Sequence, residues 1–454
     1  MRNIRDLTRE ELVKYDLSST HFNLYFNITK QYKRVFDVLV KEVDHSTSCS
    51  KEVWCVVTNV ARALNYGAIV LRIPRHKDSY VGNGQKLSCT RMKKVVDTLC
   101  ERGYFDGVVG GLIGDDHYIS MYKMQEKLFD LWEGVDTAKE VEYHPTVIIK
   151  DRETKTFKST QGVSGVGAIH KEMSKYNQLL SKVSLCKDGV AISRQFYFRS
   201  FINNLGKGGR YYNSSGGIQT LPQKERNKLT INNERVVELD FKAMHPSILY
   251  DWEWQKDQAF VEQWIDTFFG GMYDPYKVDV SDFIDVDQEL IEKYRVRHGL
   301  SKYDPVRNLI KYAVMVGINA DTHHAACGAV TKKLYSEKNK SVEDEDLDFF
   351  GIVIPENKKG LVTFPASFFC NACKMNNGPI EQYFFTDKGV ELQFVDSEIM
   401  SQVLNTLTLE GEAAFSEHDS IIVRESVAER AEYLMRTAYE NVVGSSRFCV
   451  IERK

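Results

Sequence analysis

An α+β fold is predicted for this chain by three features of its 454 residues. Apolar residues recur at helical spacing in segments such as 88–102 and 303–321, whereas 234–240 and 413–426 are short runs of β-formers ended by turn residues. No internal repeat or low-complexity tract is visible, so these elements belong to ordinary globular domains, and the length suits two or three of them.

Composition excludes other classes. Hydrophobic residues make up 43% and charged residues 27%, near the globular average, which rules out a fibre or a disordered scaffold. The net charge of -3 does not mark a nucleic-acid binder, yet a balanced total is compatible with a basic cleft facing acidic outer surfaces. The sequence has no long apolar stretch, and its N-terminal MRNIRDLTREELVKYDL lacks a signal-peptide pattern. The expectation is a soluble cytoplasmic protein without a membrane partner. Nine scattered cysteines, an odd number, point to reduced thiols.

In chain order, the first informative element is 88–102, SCTRMKKVVDTLCER, with Met92, Val95, Val96 and Leu99 on one face, Ser88 as N-cap and Gly103 as stop. Arg91, Lys93, Lys94 and Arg102 lie on the outer face, and the following YFDGVVGGLIGDDHYISMY reads as a hairpin. Helix plus hairpin suggests a winged-helix-like, DNA-binding domain over 1–135, the basic residues serving as phosphate contacts. A plain protein-interaction domain is the alternative. Residues 136–190 contain polar and Lys-rich segments that read as loops or a mobile subdomain joining the two halves.

Four segments of the second half carry the chemistry. GGRYYNSSGGIQTLP, 208–222, is an irregular loop with a cation, Arg210, and an amide, Gln219. In ERVVELDFKAMHPSILY, 234–250, a buried β-run through Val236, Val237 and Leu239 delivers Asp240, and Pro246 suits the first turn of a helix starting near Ser247. In YDPVRNLIKYAVMVGINAD, 303–321, Asp304-Pro305 opens a helix that aligns Arg307, Lys311, Met315 and Asn319 on one face. In AAFSEHDSIIVRES, 413–426, Phe415 and Ile421–Val423 frame a tight His418-Asp419-Ser420 turn, and a capping box, Ser426 to Glu429, opens the next helix. Each segment alone fits a bland structural role as well as a functional one.

Taken in order over roughly residues 190–450, the four segments resemble the palm and fingers of family A DNA polymerases and the related single-subunit phage RNA polymerases. The resemblance implies a right-hand polymerase core over 206–454, with 136–205 as linker and reduced thumb. It implies that Arg210, Ser214, Ser215, Gln219 and His418 touch primer and template. Asp240, Asp419 and the Phe241 carbonyl would hold two Mg²⁺ ions, for which Mn²⁺ can substitute. Arg307 and Lys311 would grip the nucleoside triphosphate, with Met315, Asn319 and His245 lining the nucleotide site. Two carboxylates must converge because two metal ions about 4 Å apart stabilise both the attacking and the leaving oxygen. Hard Mg²⁺ needs few protein ligands beyond substrate phosphates.

The pattern departs at His245 and at three further places, Met315, Asn319 and Ser420. His245 stands where DNA polymerases of the family usually have Glu, and Asn319 and Ser420 replace a Tyr and a Glu. Met315 and Ser420 are closer to the RNA polymerases, whereas a bulky His245 obstructing a 2′-hydroxyl favours deoxynucleotides. The expected function is a DNA polymerase without proofreading, acting in replication of a phage or plasmid-like element in a bacterial cytoplasm. An RNA polymerase or primase, and a non-catalytic DNA-binding initiator, are the alternatives. A structural Zn²⁺ is a separate expectation, at Cys327, Cys370 and Cys373 with His323 or His324.

Overall fold

The computed structural model describes residues 2–454 apart from 9–10, 13–14, 16–17, 23–29, 44–46, 66, 81–86, 114–115, 118, 138–144, 193–194, 214–217, 338–339, 345–346 and 354–363. They form two compact units, one of Met1–Asp240, Met400–Leu434 and Arg453–Lys454, the other of Phe241–Ile399 and Met435–Glu452.

In the first unit the helix expected over 88–102 runs Cys89–Glu101, and the Ser88 side chain accepts the Arg91 N–H as its N-cap. Its buried Met92, Val95, Val96 and Leu99 share one apolar core with Val35 and Leu39 of the Lys33–Val43 helix and Val53, Val57 and Val60 of the Ser50–Asn65 helix. The expected hairpin is formed by Phe105–Val109 and Met121–Met124, with Phe105 opposite Met124. Val70–Arg72 pairs antiparallel with its second arm. Parallel pairings of Arg2–Asn3 and Ser19–His21 complete a five-stranded sheet. Of the cations expected on the outer face, Arg91 reaches buried Glu52 at 3.0 Å, and Arg102 approaches Glu42 at 3.5 Å.

Val147–Lys150, Phe157–Lys158, Tyr197–Ile202 and Asn204–Asn213 form a four-stranded sheet that packs against a helix. Tyr197–Ile202 lies between parallel Val147–Lys150 and antiparallel Asn204–Asn213. The Val166–Leu180 helix is tied to them by Asn177, whose side-chain amide donates to the Tyr197 carbonyl and accepts the Tyr197 N–H, both at 2.8 Å.

A second sheet positions the carboxylates. Its path runs Val190–Ala191, Leu185–Lys187, Leu229–Ile231, Glu234–Phe241, Ser420–Arg424, Ala414–Glu417. Asn232 and Asn233, both at positive φ (52° and 64°), make the two-residue turn into Glu234–Phe241, as tight hairpins require. Leu239 is buried as expected, but Val236 and Val237 are only half-buried and the polar Glu238 is buried instead, 3% exposed. Arg226 and Ser420 make this possible by satisfying its carboxylate. The Ser426 capping box does not form. A 3-10 turn, Glu425–Val427, precedes the Ala428–Val443 helix, and the Ser426 N–H donates to Glu234 Oε1 at 2.7 Å.

The second unit is mainly helical. Met244–Lys256 starts three residues earlier than Ser247 and keeps Pro246 in its first turn. Pro305–Asn319 is capped by Asp304, which accepts the Arg307 N–H at 2.9 Å. Gly389 permits the close approach of this helix's end, since a Cβ there would lie 1.5 Å from Asn319 Oδ1. Among the described residues no helix is long and apolar enough to cross a membrane.

Candidate functional site

Strand pairing brings Asp240 and Asp419 together within the first unit. Asp240 sits opposite Ser420 on adjacent antiparallel strands. Glu417 pairs with the same Ser420, leaving His418 and Asp419 as the two-residue turn. His418 takes φ 56°, a left-handed conformation uncommon for a residue with a side chain. The turn is thus held by the register on both sides.

Four carboxylates cluster at this end of the sheet. Burial raises the Asp240 carboxyl above the usual carboxylate range, and the charges of Asp419 and Glu238 add to it, while Lys454 Nζ, 2.6 Å from Asp240 Oδ2, opposes it. Glu417 is pushed up to about 8 by burial, reinforced by Glu238 and Asp419 and opposed by Arg226. Arg226 clasps Glu238 with two bonds of 2.9 Å, and Ser420 Oγ donates to Glu238 Oε1 at 3.2 Å. Two cations, Arg226 and Lys454, face these four carboxylates, so negative charge is in excess at this end of the sheet.

Beside the turn, Tyr212 stacks on Phe198 (centroids 5.9 Å, 24°) and meets the His418 ring edge-on at 5.9 Å. It is 37% exposed and lies on the same strand face as Arg210, two residues earlier. The sequence reading passes over Tyr212, although an aromatic two residues from a cation on a strand was a signal for a nucleic-acid platform. Gln219 braces the backbone: it accepts the Asn213 N–H at 2.7 Å and donates to the Tyr211 and Ser416 carbonyls at 3.3 and 3.0 Å. Ser214 and Ser215 lie outside the described residues.

The cations of the helix lie in the second unit. Arg307 forks onto Asp274 at 2.9 and 3.0 Å, and both Arg307 and Lys311 sit over the Tyr276 ring, at 5.6 and 5.9 Å. Partial burial lowers Lys311, with the Arg307 and Lys242 charges adding to that and Glu452 and Asp274 opposing it. Met315 is half-buried, and its carbonyl accepts from Asn319 Nδ2 at 2.6 Å. His245 is buried, its Nε2 2.9 Å from the fully buried Asp396.

The zinc expectation is not met. Among the described residues no group of three or more His, Cys, Asp or Glu could hold a metal ion. Cys370 and Cys373 are buried on the Ala366–Met375 helix, and Cys327 turns its thiol to His323, 3.5 Å from Nε2. Burial pushes Cys373 up to about 12 and Cys370 higher still, opposing the thiolates that zinc requires.

No protein-family model matches the chain, and no curated protein matches it. Among solved structures it aligns with the POL domain of Pol1 from M. smegmatis in complex with DNA primer-template and dNTP. The identity is 9%, the TM-score 0.28, and the alignment covers 98% of this chain and 69% of that one. Similarity this low carries no argument about function.

Proposed function

We propose that this protein is a template-directed nucleotidyltransferase, a DNA polymerase without proofreading, working by two-metal-ion chemistry. The observation that carries the reading is the juxtaposition of Asp240 and Asp419 by strand register, with Asp240 raised by burial and by its like-charged neighbour.

The donors fit divalent cations. They are hard carboxylate oxygens in a cluster whose carboxylates outnumber its cations, and Lys454 already places one cation 2.6 Å from Asp240. Two carboxylates and the Phe241 carbonyl suffice where substrate phosphates complete the coordination. Asp240, Asp419 and the Phe241 carbonyl would hold Mg²⁺, or Mn²⁺ in its place, which would supply Lewis acidity to the phosphoryl transfer.

The chain's own residues do the remainder. Arg307 grips the terminal phosphate by its fork. A bond forms between the primer 3′-oxygen and the α-phosphorus while the bridging bond to the β-phosphate breaks; the hydroxyl proton passes to solvent and pyrophosphate leaves. Lys311, its affinity for the proton lowered by burial and by Arg307, gives a proton to that leaving group. Tyr212 with Arg210 stacks and neutralises the primer–template. The 1–135 region binds duplex DNA and tethers the template.

The test is extension of a labelled primer–template with Mg²⁺ and either dNTPs or rNTPs. Stepwise, template-matched addition with dNTPs preferred is expected. Absence of incorporation with any template, primer or divalent metal overturns the reading in favour of a DNA-binding initiator.

A further inference from the structure

Asp274 closes the very fork assigned to the nucleotide. Its two carboxylate oxygens meet both terminal nitrogens of Arg307, at 2.9 and 3.0 Å, which is the bidentate geometry a phosphate would take. The pair is reachable, its side chains being 30% and 29% exposed. Asp274 also lies within the electrostatic surroundings of Lys311, which Arg307 and Lys242 make positive and Glu452 and Asp274 make less so. Nothing in the turn demands the ion pair. The Asp274 requirement there is one acceptor, Oδ1, for the Tyr276 N–H at 3.1 Å.

We propose that Asp274 is an intramolecular competitor for Arg307: the terminal phosphate of an incoming nucleotide must displace its carboxylate, and the carboxylate retakes the fork as pyrophosphate departs. Asp274 thereby weakens binding of nucleotide and pyrophosphate alike and speeds release of the product. The inference rests on Arg307 being the phosphate-gripping residue of the proposed function. It follows from charge and geometry, since a guanidinium fork satisfied by a carboxylate is not available to a phosphate until one anion replaces the other.

The experiment is equilibrium titration of the full chain and its Asp274→Asn variant with a dNTP, with inorganic pyrophosphate and with the matching nucleoside monophosphate, in Ca²⁺ to hold chemistry off. Asn keeps the Oδ1 acceptor for Tyr276 and removes the charge. Expected is tightening of dNTP and pyrophosphate in parallel by about two- to five-fold, the scale of a part-exposed ion pair, with the monophosphate unchanged. The gain should shrink at high salt. Unchanged or weaker binding of dNTP and pyrophosphate overturns the inference, weaker binding meaning that Asp274 positions Arg307. Asp274→Ser, which also keeps a turn acceptor, should repeat the tightening if Asn perturbs folding, and a failure there overturns it equally. A wild-type chain that binds neither dNTP nor pyrophosphate instead sinks the nucleotide-site reading itself.

Discussion

Lys454 Nζ lies 2.6 Å from Asp240 Oδ2, and the Lys454 N–H donates to the Glu238 carbonyl at 2.9 Å, so a cation is fixed against the carboxylate by its own backbone. In the proposed function the ion pair stands where a metal would bind. Removing it should favour metal. Lys454→Met is expected to lower the half-saturating Mn²⁺ concentration about two- to five-fold, read by electron paramagnetic resonance titration. Weaker Mn²⁺ binding would show instead that Lys454 helps to shape the site.

Arg226 is the partner of the buried Glu238, and it also donates to the Leu221 carbonyl at 2.8 Å, joining the 218–222 turn to the strand that bears Asp240. Arg226→Met leaves that carboxylate unpaired, which should cost about 3 kcal/mol in denaturant unfolding. Adding Glu238→Leu should recover most of the loss. A cost under about 1 kcal/mol for Arg226→Met would mean that the pair does not hold the sheet.

Asp251 accepts from Tyr439 Oη at 2.9 Å, Ser445 Oγ at 2.5 Å and the N–H groups of Arg447 and Phe448 at 3.0 and 3.3 Å. Burial raises its carboxyl, against the pull of these donors. The folded protein then holds this proton more tightly than the unfolded chain, so the group's contribution to stability falls as pH rises from about 4 through the raised value. Asp251→Asn should remove that slope in unfolding curves taken across pH, while costing about 1–3 kcal/mol through mismatched donors. An unchanged slope would contradict the assignment.

Tyr212 presents its ring beside His418 without depending on its hydroxyl for that stacking. Tyr212→Ala is expected to raise KM for primer–template about tenfold, the value of one lost stacking contact, and Tyr212→Phe to leave it within about twofold. Equal effects of Ala and Phe would point to a hydrogen-bonding role.

The elements that sequence pattern made legible are those set by local chemistry. Ser88 and Asp304 cap the helices they were expected to cap, and the 413–426 hairpin presents His418-Asp419 at its turn. What escaped depends on distant partners. Val236 and Val237 were expected in the core, yet Glu238 takes the buried place because Arg226 and Ser420 satisfy it. Gln219 reads as a free amide, yet its bonds go to the backbone of residues 211, 213 and 416. Ser426 fits a capping box by spacing, but Glu234, remote in the chain, takes its N–H. The CxxC of Cys370 and Cys373 has metal-ligand spacing, while helical packing buries both thiols.

Asp419→Asn tests the carboxylate pair most directly, because it removes one like charge from beside Asp240 and leaves the turn its side-chain size. Template-matched extension by the variant should fall about a thousandfold or more, with the unfolding temperature held or raised. Extension at the wild-type rate would contradict the catalytic role of this pair.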